Sequence, residues 1–306
     1  MCRIGVPKTK NRYDALSSRM AADQPMNEPK SARVLITNDD GVDSPGIHEL
    51  ARQVEAAGYT VMVVAPDHDA SGTGASLGRI SPDHPVAYAR HSIDGVAGEV
   101  YGINGPPALC VVVGNLQAFG DAPDIVVSGI NAGLNTGRAA LHSGTIGAAL
   151  AAQNFGLRGL AVSLGSGATW HWETAAALTV QLLPHVLAGP ARSVLNLNVP
   201  AARSDDVLGI RWAGLGAFGA VRTAITDIKQ DTLHFGFELT GDTVDDDSDS
   251  AVVQAGYAAI TSLHGPAEVW GPFGQSGEDF DAEHRVHGAT AGHELRASRS
   301  YLLEHG

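Results

Sequence analysis

The sequence is short of the residues that mark disulfide-rich, membrane-spanning and polymer-binding proteins. Only Cys2 and Cys110 are present in 306 residues, so we expect neither a disulfide framework nor a thiolate metal cluster. Lys and Arg number 20 against 33 Asp and Glu, a formal net charge of -13. A nucleic-acid polymer or an anionic membrane would require clustered basic residues, so neither is an expected partner. A small phosphorylated substrate stays possible if a metal ion offsets the carboxylates.

Long apolar runs are also missing. The chain has no run of the roughly 18 apolar residues that a membrane helix needs, and residues 1–32 are polar, without the apolar core of a signal peptide. We therefore predict a cytoplasmic protein with a flexible leader at 1–32. A Gly-, His- and Glu-rich segment at 264–306 predicts a loosely packed tail.

What the sequence does contain is an alternation of strand and helix patterns between about 33 and 200. Apolar runs at 34–36, 60–65, 125–128, 160–163 and 194–199 are typical of buried parallel strands, and helical patterns lie between them. This order predicts an α/β fold with a doubly wound, mostly parallel sheet. From about 207 to 246 the pattern changes to short extended pieces, which predicts a β-rich arm, all within one domain at 33–263.

The first strand ends abruptly in Asp39, Asp40 and Gly41. Neighbouring side chains on a strand point to opposite faces, so the two carboxylates could share a ligand only if the backbone bends there, and Gly41 permits that bend. An Asx turn that caps the next helix is the structural alternative for this motif.

Two other strand ends carry oxygen-bearing side chains. Ser71 follows the second strand and Asn131 follows the strand at 125–128; the carboxyl ends of parallel strands meet at one edge, where ligands bind. Asp39, Asp40, Ser71 and Asn131 would offer hard oxygen ligands to Mg²⁺ or Mn²⁺, with Ca²⁺ possible in a crystal. Ser143, Gly144 and Thr145 precede an Ala-rich helix, and free N–H groups at its start would bind a phosphate.

Other site classes fit less well. The glycines at 72, 74 and 78 lack dinucleotide spacing, and adjacent aspartates do not give the Asp-x-Asp of a phosphoaspartyl enzyme. A serine hydrolase needs Gly-x-Ser-x-Gly at a strand-to-helix turn, and Gly165-Ser166-Gly167 is too short to supply it. The acidic run at 242–249 lacks calcium-loop spacing, so we expect a solvated turn that caps a helix. Among the 13 His, only His142 adjoins the phosphate motif, where it could act as a general acid or be a surface residue.

In their order along the chain, five motifs resemble those of the SurE family of survival nucleotidases and acid phosphatases. They are Asn38-Asp39-Asp40-Gly41 with Ser44-Pro45-Gly46, Ala65-Pro66-Asp67 with Ser71-Gly72, the segment 127–133, Ser143-Gly144-Thr145, and Asn196-Leu197-Asn198-Val199-Pro200.

This resemblance implies a Rossmann-like core and a metal-dependent phosphomonoesterase that acts on nucleoside 5′- or 3′-monophosphates. It implies one divalent metal ion per subunit, held by Asp39, Asp40, Ser71 and Asn131, and an arm exchanged within a homodimer or homotetramer. Asp39 or Asp40 could also accept the proton of the attacking water, and sequence alone does not divide these roles. We assign phosphate binding to Ser71, Gly72, Asn131, Ser143, Gly144 and Thr145. The alternative is a phosphate-binding or regulatory module of the same fold with little or no turnover.

Several positions depart from the family pattern. His68, Asp69 and Ala70 stand where basic residues are usual, and Pro106 and Leu109 stand where Thr and Asp are usual. His142 replaces a common Tyr, and Ala151 falls where an acidic residue is frequent. These departures predict an altered substrate preference.

Overall fold

A computed structural model describes residues 32–217, 221–229, 231–239 and 245–266. The predicted leader and tail lie almost entirely outside these residues. The strands are β1 Arg33–Thr37, β2 Thr60–Pro66, β3 Tyr88–His91, β4 Glu99–Ile103, β5 Ile125–Ala132, β6 Arg158–Leu164, β7 Val194–Val199, β8 Ile210–Trp212, β9 Val221–Lys229, β10 Thr232–Leu239 and β11 Ala258–Leu263. The helices are α1 Pro45–Ala56, α2 Pro107–Asn115, α3 Gly144–Asn154, α4 Trp172–Ala188 and α5 Asp249–Gln254.

Nine of these strands form one sheet in the order β3-β4-β2-β1-β5-β6-β7-β11-β8. β1 pairs in parallel with both β2 and β5, so the strand order reverses between β1 and β5. Only β3 with β4 and β7 with β11 pair antiparallel within this sheet. The predicted α/β class with a mostly parallel, doubly wound sheet is confirmed, and its switch point lies beside the ends of β1 and β5.

Alternating side chains of the central strands enter two cores. Val34 and Ile36 of β1 pack on one face together with residues of α1 and α4, and Leu35 packs on the other face with residues of α2 and α3. α1 buries Ile47, Leu50, Ala51 and Val54, which share one face at helical spacing. The sheet therefore lies between two helical layers. No helix in the described part of the chain is long and apolar enough to cross a membrane.

Three local predictions need correction. β8 joins the main sheet beside β11 rather than a separate arm, because Ile210–Trp212 pair in parallel with 258–260. Asn131 lies near the end of β5 and not in the loop after it, because the strand resumes after a register shift between Ser128 and Asn131. Within the acidic run, Asp245 to Asp247 are exposed as expected, but Asp249 is fully buried. The beginning of that run, 242–244, lies outside the described residues.

The remaining two strands form a separate antiparallel sheet. β9 and β10 pair with each other as a hairpin, with an irregularity between His234 and Phe235. Pairing places Ile228 opposite Leu233 and Ile225 opposite Phe235, on one face, and places Asp227 opposite His234 on the other. The four apolar side chains are each more than half exposed, at 56% for Ile225, 66% for Ile228, 55% for Leu233 and 63% for Phe235. We call these four residues the hairpin apolar face.

Candidate active site at the carboxyl edge of the sheet

The bend that follows β1 is fixed by Asn38. Its side-chain Nδ2 donates to the Gly41 carbonyl at 3.0 Å and to the Ser44 hydroxyl at 2.7 Å, and its Oδ1 accepts from the Gly41 N–H at 3.2 Å. Gly41 has a φ of +102°, a conformation that L side chains rarely adopt. The backbone therefore turns immediately after Asp39 and Asp40, as the sequence predicts.

Asp39 lies against the start of α3. Its Oδ1 accepts a hydrogen bond from the Thr145 hydroxyl at 2.6 Å, and its backbone carbonyl accepts from the Ala70 N–H at 2.7 Å. The side chain is only 3% exposed. Burial raises the pKa of Asp39, while the Thr145 hydroxyl and the backbone N–H groups of Thr145 and Gly144 act in the opposite direction. The helix N-terminus predicted to bind phosphate therefore already faces a carboxylate.

Asp40 lies on the side of β5. Its Oδ2 accepts from the Ala132 N–H at 3.4 Å, beside Asn131. Burial and the neighbouring charge of Asp39 raise the pKa of Asp40 to about 6, with a smaller contribution from Asp69. Within the described residues, no Lys, Arg or His forms an ion pair with Asp39 or Asp40. Two neighbouring carboxylates thus lack a counter-charge in the part of the chain that the structure describes.

Ser71, from the loop after β2, and Asn131, near the end of β5, reach the same edge. Ser71 follows Ala70, whose N–H is bound to Asp39, and both Ser71 and Gly72 are exposed. The Ser71 hydroxyl and N–H hold the pKa of Asp69 below its usual range. The Asn131 Nδ2 donates to the Gly133 carbonyl at 2.8 Å, which turns its amide nitrogen away and leaves Oδ1 as an acceptor.

These residues fit a hard divalent cation. A Cβ built on Gly144 would lie 2.8 Å from the Asp39 Oδ2, so glycine keeps open the space in front of this carboxylate. The candidate donors are two carboxylates, a hydroxyl and an amide oxygen, which suit Mg²⁺ or Mn²⁺. In the described residues, no group of three or more His, Cys, Asp or Glu could hold a metal ion, so the candidate site depends on the Ser and Asn oxygens as well.

Ser143 and His142 are adjacent in sequence, but Ser143 is buried at the start of α3 whereas the His142 side chain is exposed. Ser143 is the N-cap of α3, where its Oγ accepts from the Ile146 N–H at 3.1 Å. His142 ends a 3₁₀-helix at Gly137–His142, which the sequence did not predict, and its carbonyl accepts from the Gly74 N–H at 3.2 Å. The His142 side chain is exposed and has no hydrogen-bond partner among the described residues. Its assignment as a general acid remains a prediction.

Sequence reasoning assigned no role to a cluster of asparagines behind the site. The Asn135 carbonyl accepts from the Nδ2 groups of Asn196 and Asn198, and its N–H donates to the Asn198 Oδ1 at 2.8 Å. These bonds fasten the loop after β5 onto β7. The signal was present in Asn196-Leu197-Asn198, since buried Asn at alternate strand positions must find polar partners on one face. Asp249 is the second missed residue and is described below.

Comparison with known proteins decides the family. The sequence profile described as "Survival protein SurE" matches residues 34–220, which is more than half of the chain. The chain belongs to the SurE family. The resemblance predicted from the five motifs is therefore confirmed.

SurE relatives match most of the described chain. A protein of Erwinia tasmaniensis named "5'/3'-nucleotidase SurE" is 38% identical over 238 residues, covering 76% of this chain and 90% of that protein. A "5'-nucleotidase SurE" of Desulfitobacterium hafniense is 34% identical over 235 residues, with the same coverages of 76% and 90%. The crystal structure of the SurE protein from Aquifex aeolicus superposes with a TM-score of 0.62 at 31% identity, covering 76% of this chain and 93% of that one.

A cavity beside the Ser71 loop is lined by four of the seven residues noted above as departures from the SurE pattern. It has a volume of about 360 Å³, and its lining includes His68, Ala70, Arg79, His84, Pro106 and Leu109. Ala70, Pro106 and Leu109 are among the departures noted in the sequence. Ala70 lies 36 residues before Pro106 in the chain, yet the fold brings both to one cavity beside the Ser71 loop.

Proposed function

We propose that this chain is a metal-dependent nucleotidase that hydrolyses nucleoside 5′- or 3′-monophosphates. One observation carries the proposal: two adjacent carboxylates lie at the switch point of the sheet with no ion-pair partner among the described residues, Asp39 against the start of α3 and Asp40 beside β5. Such a pair attracts a divalent cation, and the helix start attracts a phosphate. The nucleotidase names of relatives at 34–38% identity support the same activity.

One divalent ion per subunit, Mg²⁺ or Mn²⁺, would be held by Asp39, Asp40, Ser71 and Asn131. When bound, it would supply Lewis-acid polarisation of the phosphoryl group and lower the pKa of the attacking water. Asp40 is the better candidate for accepting a proton, because the Asp39 Oδ1 is already engaged by the Thr145 hydroxyl. Gly144 and Thr145 would bind the phosphate beside Asp39, while the Ser143 hydroxyl caps the helix start and Ser71 and Gly72 would bind it from the loop after β2. His142 would protonate the leaving oxygen.

The 360 Å³ cavity would take the nucleoside part of the substrate. It adjoins the Ser71 loop, its volume lies in the range of small-molecule pockets, and it combines apolar residues such as Leu109 with Arg79 and two histidines. Loss of the usual basic and acidic residues from its wall supports a weaker preference for ordinary mononucleotides.

Assembly with a second copy is part of the same proposal. An isolated two-stranded hairpin is marginally stable in water, and the hairpin apolar face exposes four large side chains on one side. A second copy of this face would cover it and give a homodimer, or a homotetramer if two dimers associate.

A hydrolysis screen tests the proposed activity. Nucleoside 5′- and 3′-monophosphates should release orthophosphate in the presence of Mn²⁺ or Mg²⁺, and EDTA should abolish release. Mononucleotides that bind with Mn²⁺ present but are not hydrolysed would instead support the phosphate-binding or regulatory module. Undiminished hydrolysis in EDTA would contradict metal dependence.

A further inference from the structure

The Asp249 carboxylate joins three segments that are distant in sequence. Its Oδ2 accepts from the Gly137 N–H at 2.9 Å, and its Oδ1 accepts from the N–H groups of Gly216 at 3.1 Å and Ser250 at 2.9 Å. The residue is 0% exposed. Gly137 is 112 residues away in the chain and Gly216 is 33 residues away, so no local turn explains these bonds.

The Gly137 contact leads directly to the candidate active site. Gly137 begins the 3₁₀-helix that ends at His142, and Ser143, Gly144 and Thr145 follow without a break. We call residues 137–145 the phosphate loop. Its far end is fixed by the Gly74 N–H on the His142 carbonyl and by the Thr145 hydroxyl on Asp39. Asp249 fixes its near end.

The Gly216 contact leads to the hairpin instead. Residues 213–217 lie between β8 and β9, and we call them the hairpin root. The Asp249 N–H also donates to the Gly214 carbonyl at 2.8 Å, and Gly214 forms a bridge with Ser248. The same residue therefore holds the hairpin root through both its side chain and its backbone.

Burying a carboxylate costs desolvation free energy, so its use to connect backbone segments calls for an explanation. Burial raises the pKa of Asp249, and the three N–H groups only partly oppose that rise. Apolar residues that fill the same space often stabilise a fold as well as buried charges do. A carboxylate does what they cannot, because its two oxygens accept from several N–H groups in fixed directions.

We infer that Asp249 is a positioning residue that couples the phosphate loop to the hairpin root. Through the 3₁₀-helix it fixes the position of Gly144 and Thr145 relative to Asp39. A displacement of the phosphate loop therefore moves the hairpin root, and a displacement of the hairpin root moves the phosphate loop. The inference rests on the proposed function in so far as the loop binds phosphate. Displacing a loop of this kind by about 1 Å is enough to cost roughly 100-fold in rate.

The first test compares Asp249→Asn with Asp246→Asn. In Asp249→Asn the side-chain NH₂ group would face a backbone N–H that now donates to a carboxylate oxygen, so one hydrogen bond would be replaced by a contact between two donors. Asp246 is exposed in the same acidic run, and Asp246→Asn is therefore the matched control. For Asp249→Asn we expect kcat/KM to fall about 10- to 100-fold and the inhibition constant of orthophosphate to rise by a similar factor. The Kd for Mn²⁺ should change less than about twofold, because no metal ligand is touched.

If Asp249 only stabilised the fold, Asp249→Asn would not weaken orthophosphate binding while leaving the Kd for Mn²⁺ nearly unchanged. An unchanged orthophosphate constant in folded Asp249→Asn, equal losses of Mn²⁺ and orthophosphate affinity, or the same losses in Asp246→Asn would overturn the inference.

A second measurement applies even if Asp249→Asn does not fold or the wild-type protein has no turnover. Hydrogen exchange is followed on wild-type protein with Mn²⁺, with and without orthophosphate. Coupling predicts slower exchange in 137–142 and 213–217 together when orthophosphate binds. Protection confined to 143–147 would overturn the coupling, whereas an inactive protein that shows joint protection would contradict only the proposed nucleotidase activity.

Discussion

At the carboxyl edge of the main sheet, the polar groups of the candidate site are held by partners from the same chain, whereas the β9–β10 hairpin leaves four large apolar side chains more than half exposed. Asn38 fixes the bend and Thr145 holds Asp39. On the hairpin, strand pairing sorts apolar from polar residues but covers neither face. We propose that the edge binds a small ion and a substrate, whereas the hairpin binds a second protein surface.

The largest loss of activity is expected when a carboxylate of the candidate site is removed. Asp39→Asn and Asp40→Asn should each lower kcat/KM for a mononucleotide about 100- to 1000-fold, because the amide keeps the shape but removes the charge that attracts the cation. Phosphate release in Mn²⁺ measures this. Asp43→Asn is the matched control, since the Asp43 side chain is 82% exposed in the same loop. A control that loses as much activity as Asp39→Asn would mean that the loop, and not the site, had been damaged.

The second effect concerns assembly. Ile228→Glu and Phe235→Glu should each raise the dissociation constant of the homo-oligomer about 30-fold, the factor that corresponds to losing about 2 kcal/mol at a buried contact. Light scattering over a dilution series measures it. His234→Glu lies on the opposite face of the hairpin and should leave assembly unchanged. Mn²⁺ affinity should be unaffected in all three. A wild-type protein that is monomeric at every concentration would refute the proposed role of the apolar face.

The smallest effect is expected in the cavity, because its lining can change without altering the candidate metal ligands. Ala70 is only 5% exposed and adjoins Ser71, so Ala70→Arg would add a cation between the cavity and the proposed phosphate site, where a charged hydrogen bond to phosphate is typically worth about 1–3 kcal/mol. KM for mononucleotides should therefore fall about tenfold in steady-state assays. Ala118→Arg adds the same charge at an exposed position outside the cavity and controls for net charge. Equal changes in both variants would show that the Ser71 loop does not face the substrate.

Much of the fold and of the site is readable from the sequence, because both depend on local patterns. Apolar runs such as Val34 to Ile36 occur only where both faces of a strand are covered, and Asp39-Asp40-Gly41 marks a strand that must end in a bend. Parallel strands then bring Asp40 and Asn131 to one edge without further information. That is why a few strand ends were enough to predict a shared site.

The parts that sequence reasoning missed depend on distant partners. β8 has only three residues, and its place in the main sheet is set by pairing with β11. The burial of Asp249 depends on N–H groups from Gly137 and Gly216, while its sequence neighbours in the acidic run are exposed. The role of Asn135 likewise depends on Asn196 and Asn198. A local pattern such as Asn196-Leu197-Asn198 can indicate that polar partners are needed, but it does not identify those partners, since each bond closes a long loop.

Calorimetric titration of Mn²⁺ into wild type, Asp39→Asn, Asp40→Asn and Asn131→Ala, each first freed of metal with EDTA, tests the central claim most directly. The account predicts one site per chain in wild type and no measurable site in either Asp variant. Asn131→Ala should bind more weakly but still bind, because a neutral amide oxygen contributes less than a carboxylate. Wild-type stoichiometry and affinity in Asp39→Asn would contradict the account and leave these carboxylates as parts of a turn.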